Sequence, residues 1–87
     1  MQFIYPAGDR KIYLPAGPDG KPGMVVFEAA HQNPSKTIYW HVDNQFAGST
    51  QDIHKLALQP EPGDHYLTLV DEDGAVISTR VTIIGRK

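Results

Sequence analysis

The chain has 87 residues, of which 40% are hydrophobic and 21% charged, so it can form a core but is too short for two domains. The net charge is -2 and the basic residues are scattered, which argues against a nucleic-acid partner. There is no cysteine, and no apolar run approaches the roughly 20 residues that cross a bilayer. We therefore expect a single domain over residues 1–87 with no disulfide, no thiolate chemistry and no insertion into a membrane by this segment.

The first predicted element is an edge strand that is split by a proline turn. Residues 3–5 run extended up to Pro6, and residues 11–14 continue the strand up to Pro15. Because proline cannot donate to a sheet ladder, prolines at both ends suit an edge strand. Residues 15–23 hold three prolines and three glycines and predict a surface loop.

Two strands in the middle of the chain are predicted to form the core. In residues 24–29, the side chains that share the core face are Val25, Phe27 and Ala29. In residues 37–43, which contain the only tryptophan, one face carries Ile38, Trp40 and Val42 and the opposite face carries Tyr39, His41 and Asp43. We expect Trp40 to be held between two packed sheets.

The second half of the chain predicts further short strands separated by turns. A tight turn at residues 43–45 leads into a hairpin strand at residues 46–50. Further strands are predicted at residues 53–58 and 65–70 and over residues 76–77 and 80–84, with turns at residues 59–64 and 71–74. In the strand that begins at His65, that side chain shares a face with Leu67 and Leu69. About seven short strands with turns roughly every 8 to 12 residues predict an all-β fold, an immunoglobulin-like antiparallel β-sandwich.

The four histidines raise the question of a metal site or a catalytic centre. His41 and Asp43 share a strand face, but zinc needs three or four convergent ligands, and the sequence lacks cysteine pairs and His-Glu-x-x-His spacing. We expect no metal or other cofactor, and we interpret both side chains as part of a solvated strand face. His65 follows a Pro-Gly corner, where sandwich domains carry an aromatic side chain that hydrogen-bonds back to the corner, so we predict a structural brace rather than a catalytic base.

Several segments resemble the C-terminal domain of bacterial penicillin-binding proteins of the 1C type. They are residues 25–31, 38–43 with 46–50, and 62–71 with Gly74, and residues 4–6 and 12–15 are similar too. The Tyr39-Trp40-His41 tripeptide together with the corner at residues 62–65 carries most of the resemblance. It covers nearly the whole chain in the same order.

The resemblance implies a non-catalytic module at the end of a longer enzyme that polymerises and cross-links peptidoglycan. That parent would be anchored in the inner membrane and lie in the periplasm, and its glycosyltransferase and transpeptidase residues would belong to other domains. The expected partners are those sibling catalytic domains or other cell-wall proteins, with peptidoglycan itself as a further expectation. No catalytic residue carries over to this chain.

Four side chains are predicted to point outward on adjacent strands and to form an interaction patch: Tyr39, His41, Asp43 and Tyr66. Three alternatives stay open at this stage. The domain is a stabilising cap with no ligand of its own, a carbohydrate-binding module whose aromatic rings stack on sugars, or, with least support, an enzyme.

Overall fold

The computed structural model describes residues 1–6, 10–14 and 23–85, which form eight strands. In chain order these are β1 (Gln2–Tyr5), β2 (Arg10–Tyr13), β3 (Val25–Ala30), β4 (Ile38–Val42), β5 (Gln45–Thr50), β6 (Lys55–Leu58), β7 (Gly63–Asp71) and β8 (Val76–Ile84). The described ranges contain no helix long and apolar enough to cross a membrane. The loop predicted at residues 15–23 lies outside the described residues, apart from Gly23.

The strands form two sheets, one in the order β1-β3-β6 and the other in the order β2-β8-β7-β4-β5. Neighbouring strands are antiparallel except for β2 and β8, which pair in parallel from Arg10 opposite Val81 to Tyr13 opposite Ile84. The predicted fold class, an all-β immunoglobulin-like sandwich, is confirmed. The structure has eight strands where the sequence predicted about seven, and the parallel pair is an addition to the predicted antiparallel pattern.

The two halves of the predicted split edge strand are both edge strands, but they belong to different sheets. Phe3 in β1 lies opposite Ala29 in β3, whereas Ile12 in β2 lies opposite Ile83 in β8. The chain thus changes layers between these two strands. The sequence could not show this, because a short strand with one inward apolar side chain can pack against the core equally well from either sheet.

Trp40 lies at the centre of the core, with its side chain fully buried (0% exposed). Its strand neighbours place Leu69 on one side and Gly48 on the other. The remaining buried apolar side chains are Ile12, Leu14, Val25, Phe27, Ala29, Ile38, Leu67, Leu69, Val81 and Ile83. At roughly 25 cal/mol per Å², burying the roughly 200 Å² of a large aromatic side chain contributes about 5 kcal/mol, which makes this indole a major part of the core.

The polar edge of the indole is satisfied by a short chain of hydrogen bonds. Trp40 Nε1–H donates to the Thr50 hydroxyl at 2.8 Å, and that hydroxyl lies 2.8 Å from Nδ1 of the buried His54. His54 Nε2 lies 2.9 Å from the carbonyl oxygen of Pro34, which can only accept. The ring therefore donates from Nε2, and its Nδ1 accepts from the hydroxyl. Both nitrogens of this buried histidine thus have hydrogen-bond partners.

Candidate functional site: an aromatic outer face

The outer side of the five-stranded sheet carries four neighbouring rings, which we call the aromatic face: Tyr39, His41, Phe46 and Tyr66. Because Ile38 and Trp40 are buried, the alternate residues of β4 must point away from the core. The exposed fractions are 39% for Tyr39, 64% for Phe46 and 58% for Tyr66. Sequence reasoning placed three of these four rings and missed Phe46, although a hairpin from residue 43 to residue 45 brings it next to His41.

A row of side chains crosses four strands at the middle of this face. His41 lies opposite Phe46 on β5 and opposite Thr68 on β7, and Thr68 lies opposite Ser78 on β8. The rings of His41 and Phe46 meet edge to face, with centroids 5.8 Å apart and planes at 70°. The hydroxyls of Thr68 and Ser78 are 3.2 Å apart. The row therefore passes from an aromatic pair to a pair of hydroxyl groups.

His41 is less solvated than the sequence interpretation had it. Its side chain is half-buried, and its Nδ1 is buried with no hydrogen-bond partner among the described residues. The neighbouring Phe46 ring accounts for part of this shielding. His41 thus lies on the predicted outer face of its strand, but its Nδ1 is buried there rather than solvated.

Asp43 lies at the predicted hairpin turn, where it has a φ of 52° and Asn44 has a φ of 67°. Two consecutive residues with positive φ are the hallmark of the tight turn that suits a twisted hairpin. Its carboxylate accepts a hydrogen bond from the backbone N–H of Tyr66 at 2.9 Å through Oδ1, and Oδ2 lies 2.5 Å from His65 Nδ1. Of the four residues predicted for the patch, Asp43 is thus the one whose side chain has hydrogen-bond partners among the described residues.

His65 joins the turn between β4 and β5 to the corner before β7. Its Nδ1 contacts Asp43, and its Nε2 lies 2.6 Å from the carbonyl oxygen of Glu61. Both partners are acceptors, so both ring nitrogens must donate, which only the protonated imidazole can do. Accordingly, the hydrogen bond to Asp43 raises the pKa of His65, and the same bond lowers the pKa of Asp43. The predicted corner brace is confirmed.

His31 is tied to the turn that precedes β8. Its Nδ1 accepts from the backbone N–H of Asn33, so its Nε2–H donates to Asp71 Oδ2 at 2.9 Å. The other carboxylate oxygen of Asp71 accepts from the backbone N–H groups of Asp73 and Ala75, both at 2.9 Å. The pKa of Asp71 is lowered, chiefly by the hydrogen bond from His31. This carboxylate holds the turn together.

Titratable side chains elsewhere in the described ranges form no reactive cluster. No group of three or more histidine, aspartate or glutamate side chains converges there in a way that could hold a metal ion. A pocket of about 280 Å³ is lined in part by His31, Asp52 and His54. Both nitrogens of each of these two imidazoles already have hydrogen-bond partners among the described residues.

Comparison with known proteins gives a family and a fold. The model of the Penicillin-Binding Protein C-terminus Family matches residues 1–83. No curated protein matches the chain. Among solved structures, the fibronectin(III)-like modules of CbhA from Clostridium thermocellum are similar, with a TM-score of 0.70 and 14% sequence identity over 99% of this chain and 98% of that one. At this level of identity the similarity shows the fold alone.

Proposed function

The chain belongs to the Penicillin-Binding Protein C-terminus Family, and from that premise we propose that it is a non-catalytic accessory domain of a peptidoglycan-synthesising enzyme. The proposed parent is a periplasmic glycosyltransferase and transpeptidase that is anchored in the inner membrane. Residues 1–87 would form one domain of it. The domain would act in cell-wall synthesis through contacts with the parent's catalytic domains or with another cell-wall protein.

The observation that carries this proposal is that three histidines are held in internal hydrogen bonds, whereas two tyrosines are exposed on the sheet. The groups best suited to acid–base chemistry, His31, His54 and His65, are held in hydrogen bonds that fix turns and the core. The side chains left exposed on the sheet include Tyr39 and Tyr66. Tyrosines of this kind are enriched at protein interfaces because they combine a large apolar ring with a polar tip. Such a surface favours binding over catalysis.

The test is binding of the 87-residue chain to the purified catalytic domains of its parent, with and without Tyr39→Ala and Tyr66→Ala. If these rings are central to the interface, each substitution should weaken binding by about 2 kcal/mol, which is about thirtyfold. Tyr13→Ala is the matched control, since Tyr13 is 67% exposed and lies on β2 at the opposite edge of the same sheet. Equal affinities for all variants would remove the aromatic face from the proposal.

A second candidate is a carbohydrate-binding module that recognises peptidoglycan. The observation in its favour is the combination of the exposed rings of Phe46 and Tyr66 with the hydroxyls of Thr68 and Ser78 on the same face. Rings stack on the apolar faces of sugars, and hydroxyls bond their edges. Titration of ¹⁵N-labelled protein with soluble peptidoglycan fragments should then shift the amide signals of β4 and β7. Unchanged spectra at saturating concentrations would count against this candidate.

A further inference from the structure

β5 is one of four edge strands in the described structure, and it has fewer of the features that prevent pairing with another strand than the other three have. β1 is followed by Pro6 and has a register shift, β2 opens with two basic residues, and β6 is four residues long and opens with Lys55. Charges, prolines, bulges and short length are the usual means by which proteins protect an edge. β5 has six residues without charge or proline, and of these protecting features it has only a register shift like that of β1, which leaves Ala47 as the extra residue.

The backbone groups that face this open edge can be assigned from the hydrogen-bond pattern of β4. Asp43 N–H donates to the Tyr66 carbonyl at 2.9 Å, so the odd-numbered residues of this stretch bond toward β7. Residues of an antiparallel strand alternate in direction, and the even-numbered ones therefore bond toward β5. Their partners there are Gln45, Gly48 and Thr50. This leaves the N–H and C=O groups of Phe46 and Ser49 directed to the free edge.

An apolar pocket of about 210 Å³ lies beside this edge, between β5 and β6. It is lined by Val42, Ala47, Leu58, Gln59 and Pro60. The inward residues of β5 at this point are small, and Val42, Ala47 and Leu58 are only half-buried although they pack against the core. A cavity of roughly 150 Å³ already holds a group as large as benzene, so the pocket has room for one aliphatic side chain.

We propose that β5 accepts an extended, uncharged peptide segment of a partner protein as an added strand of the five-stranded sheet. The backbone of the segment would bond to Phe46 and Ser49, and one aliphatic side chain would enter the pocket. Neither β5 nor the pocket lining carries a charged residue, which matches an uncharged occupant. A second copy of β5 fits less well, because its own inward residues, Ala47 and Gly48, are too small to fill the pocket.

The test uses the ¹⁵N-labelled chain and a capped seven-residue peptide of alternating threonine and valine. We expect saturable shifts of the Phe46 and Ser49 amide signals, together with slower hydrogen exchange at these two positions. Ser49→Pro removes one edge N–H at a position where proline is tolerated, and should weaken peptide binding about fivefold. Ala47→Lys places a charge at the pocket and should abolish binding, whereas Val76→Lys, on β8 and 58% exposed, should leave it unchanged.

Two results would overturn the proposal. One is a titration in which the Phe46 and Ser49 amides do not respond, or in which protection appears at β1, β2 or β6 instead. The other is a concentration-dependent dimer without peptide in sedimentation velocity that Ala47→Lys dissolves, which would assign the edge to a second copy. Because the aromatic-face test uses Tyr39 and Tyr66, failure at the edge is distinguishable from failure of the proposed function.

Discussion

The Thr50 hydroxyl accepts a hydrogen bond from the buried indole of Trp40 at 2.8 Å and lies at the same distance from His54 Nδ1. One small side chain on an edge strand thus satisfies two polar groups, one fully buried and one nearly so. Leaving such groups without partners is more damaging than the net value of either bond suggests, because each has lost its water.

We therefore predict that Thr50→Val destabilises the domain by about 2 to 4 kcal/mol, since valine keeps the shape but leaves the indole N–H and the His54 nitrogen unpaired. Urea unfolding followed by tryptophan fluorescence measures the change. Ser49→Ala, at the exposed neighbouring position, is the control and should stay within about 0.5 kcal/mol of the parent protein. A loss below about 1 kcal/mol for Thr50→Val would mean that the network is not as isolated from water as described.

The bond between His65 and Asp43 predicts a pH dependence of stability. The folded pKa of His65 is raised above its ordinary 6.5, so its contribution is complete below that pH and declines as pH rises through the folded value. The folded pKa of Asp43 is lowered below its ordinary 3.8, so its contribution is complete above that pH and declines as pH falls through the folded value. The pair should therefore stabilise the fold most between these two ordinary values.

The measurement is urea unfolding from acidic pH, between the two ordinary values, to alkaline pH well above the ordinary value of His65, for the parent protein and for His65→Gln. We expect the parent to lose stability between slightly acidic and alkaline pH, and the variant to lose less over the same interval. Asp43→Asn should also reduce the loss of stability at rising pH, because it removes the negative charge that favours the protonated imidazole of His65. Parallel pH profiles for all three proteins would contradict the predicted role of the pair.

We predict that replacing His41 by an apolar residue does not destabilise the domain. Its Nδ1 is buried without a partner in the described structure, so His41→Phe removes an unsatisfied group while keeping the edge-to-face contact with Phe46. Stability should be unchanged or higher by about 1 kcal/mol. Tyr39→Phe, which removes an exposed hydroxyl on the same strand, serves as the control. A loss of more than about 1 kcal/mol for His41→Phe would show that Nδ1 has a partner in solution.

Gly48 packs closely against Leu56 across the two sheets. A Cβ at position 48 would lie 3.3 Å from both terminal methyl carbons of Leu56, so Gly48→Ala forces that side chain to move. Overpacking of this kind should destabilise the domain by about 1 to 2 kcal/mol. The double variant Gly48→Ala with Leu56→Ala should lose less than the sum of the two single losses, measured by urea unfolding. Strictly additive losses would contradict the contact.

The alternation of side chains carried most of the fold prediction. Ile38, Trp40, Leu67 and Leu69 are buried as the period of two indicates, because a register slip of one residue would expose all of them. The pairing of β2 with β8 could not be foreseen, since a four-residue strand carries too little pattern to select a neighbour. The fold class therefore followed from local sequence, whereas the exact topology did not.

The candidate site was predictable only in part, because local sequence does not indicate contacts between residues that lie far apart in the chain. Tyr39 and Tyr66 could be placed outward from alternation alone, but their value as an interaction patch stays a prediction. The bonds of Asp43 and His31 join residues 22 and 40 positions apart, and no spacing rule indicates such contacts. Phe46 was missed because the register shift in β5 changes which residues face outward.

β1 and β2 lie in different sheets, and this affects how the protein would respond to proteolysis. β1 covers the side of β3, and β2 covers the side of β8, so a single proteolytic cut before β3 that released both would bare two internal strands at once. β2 pairs with four of the nine residues of β8, from Val81 to Ile84, so its loss would extend the open ladder along the whole of β8. The N-terminal segment thus protects two strand edges at once. Its loss would favour self-association of the protein through these edges.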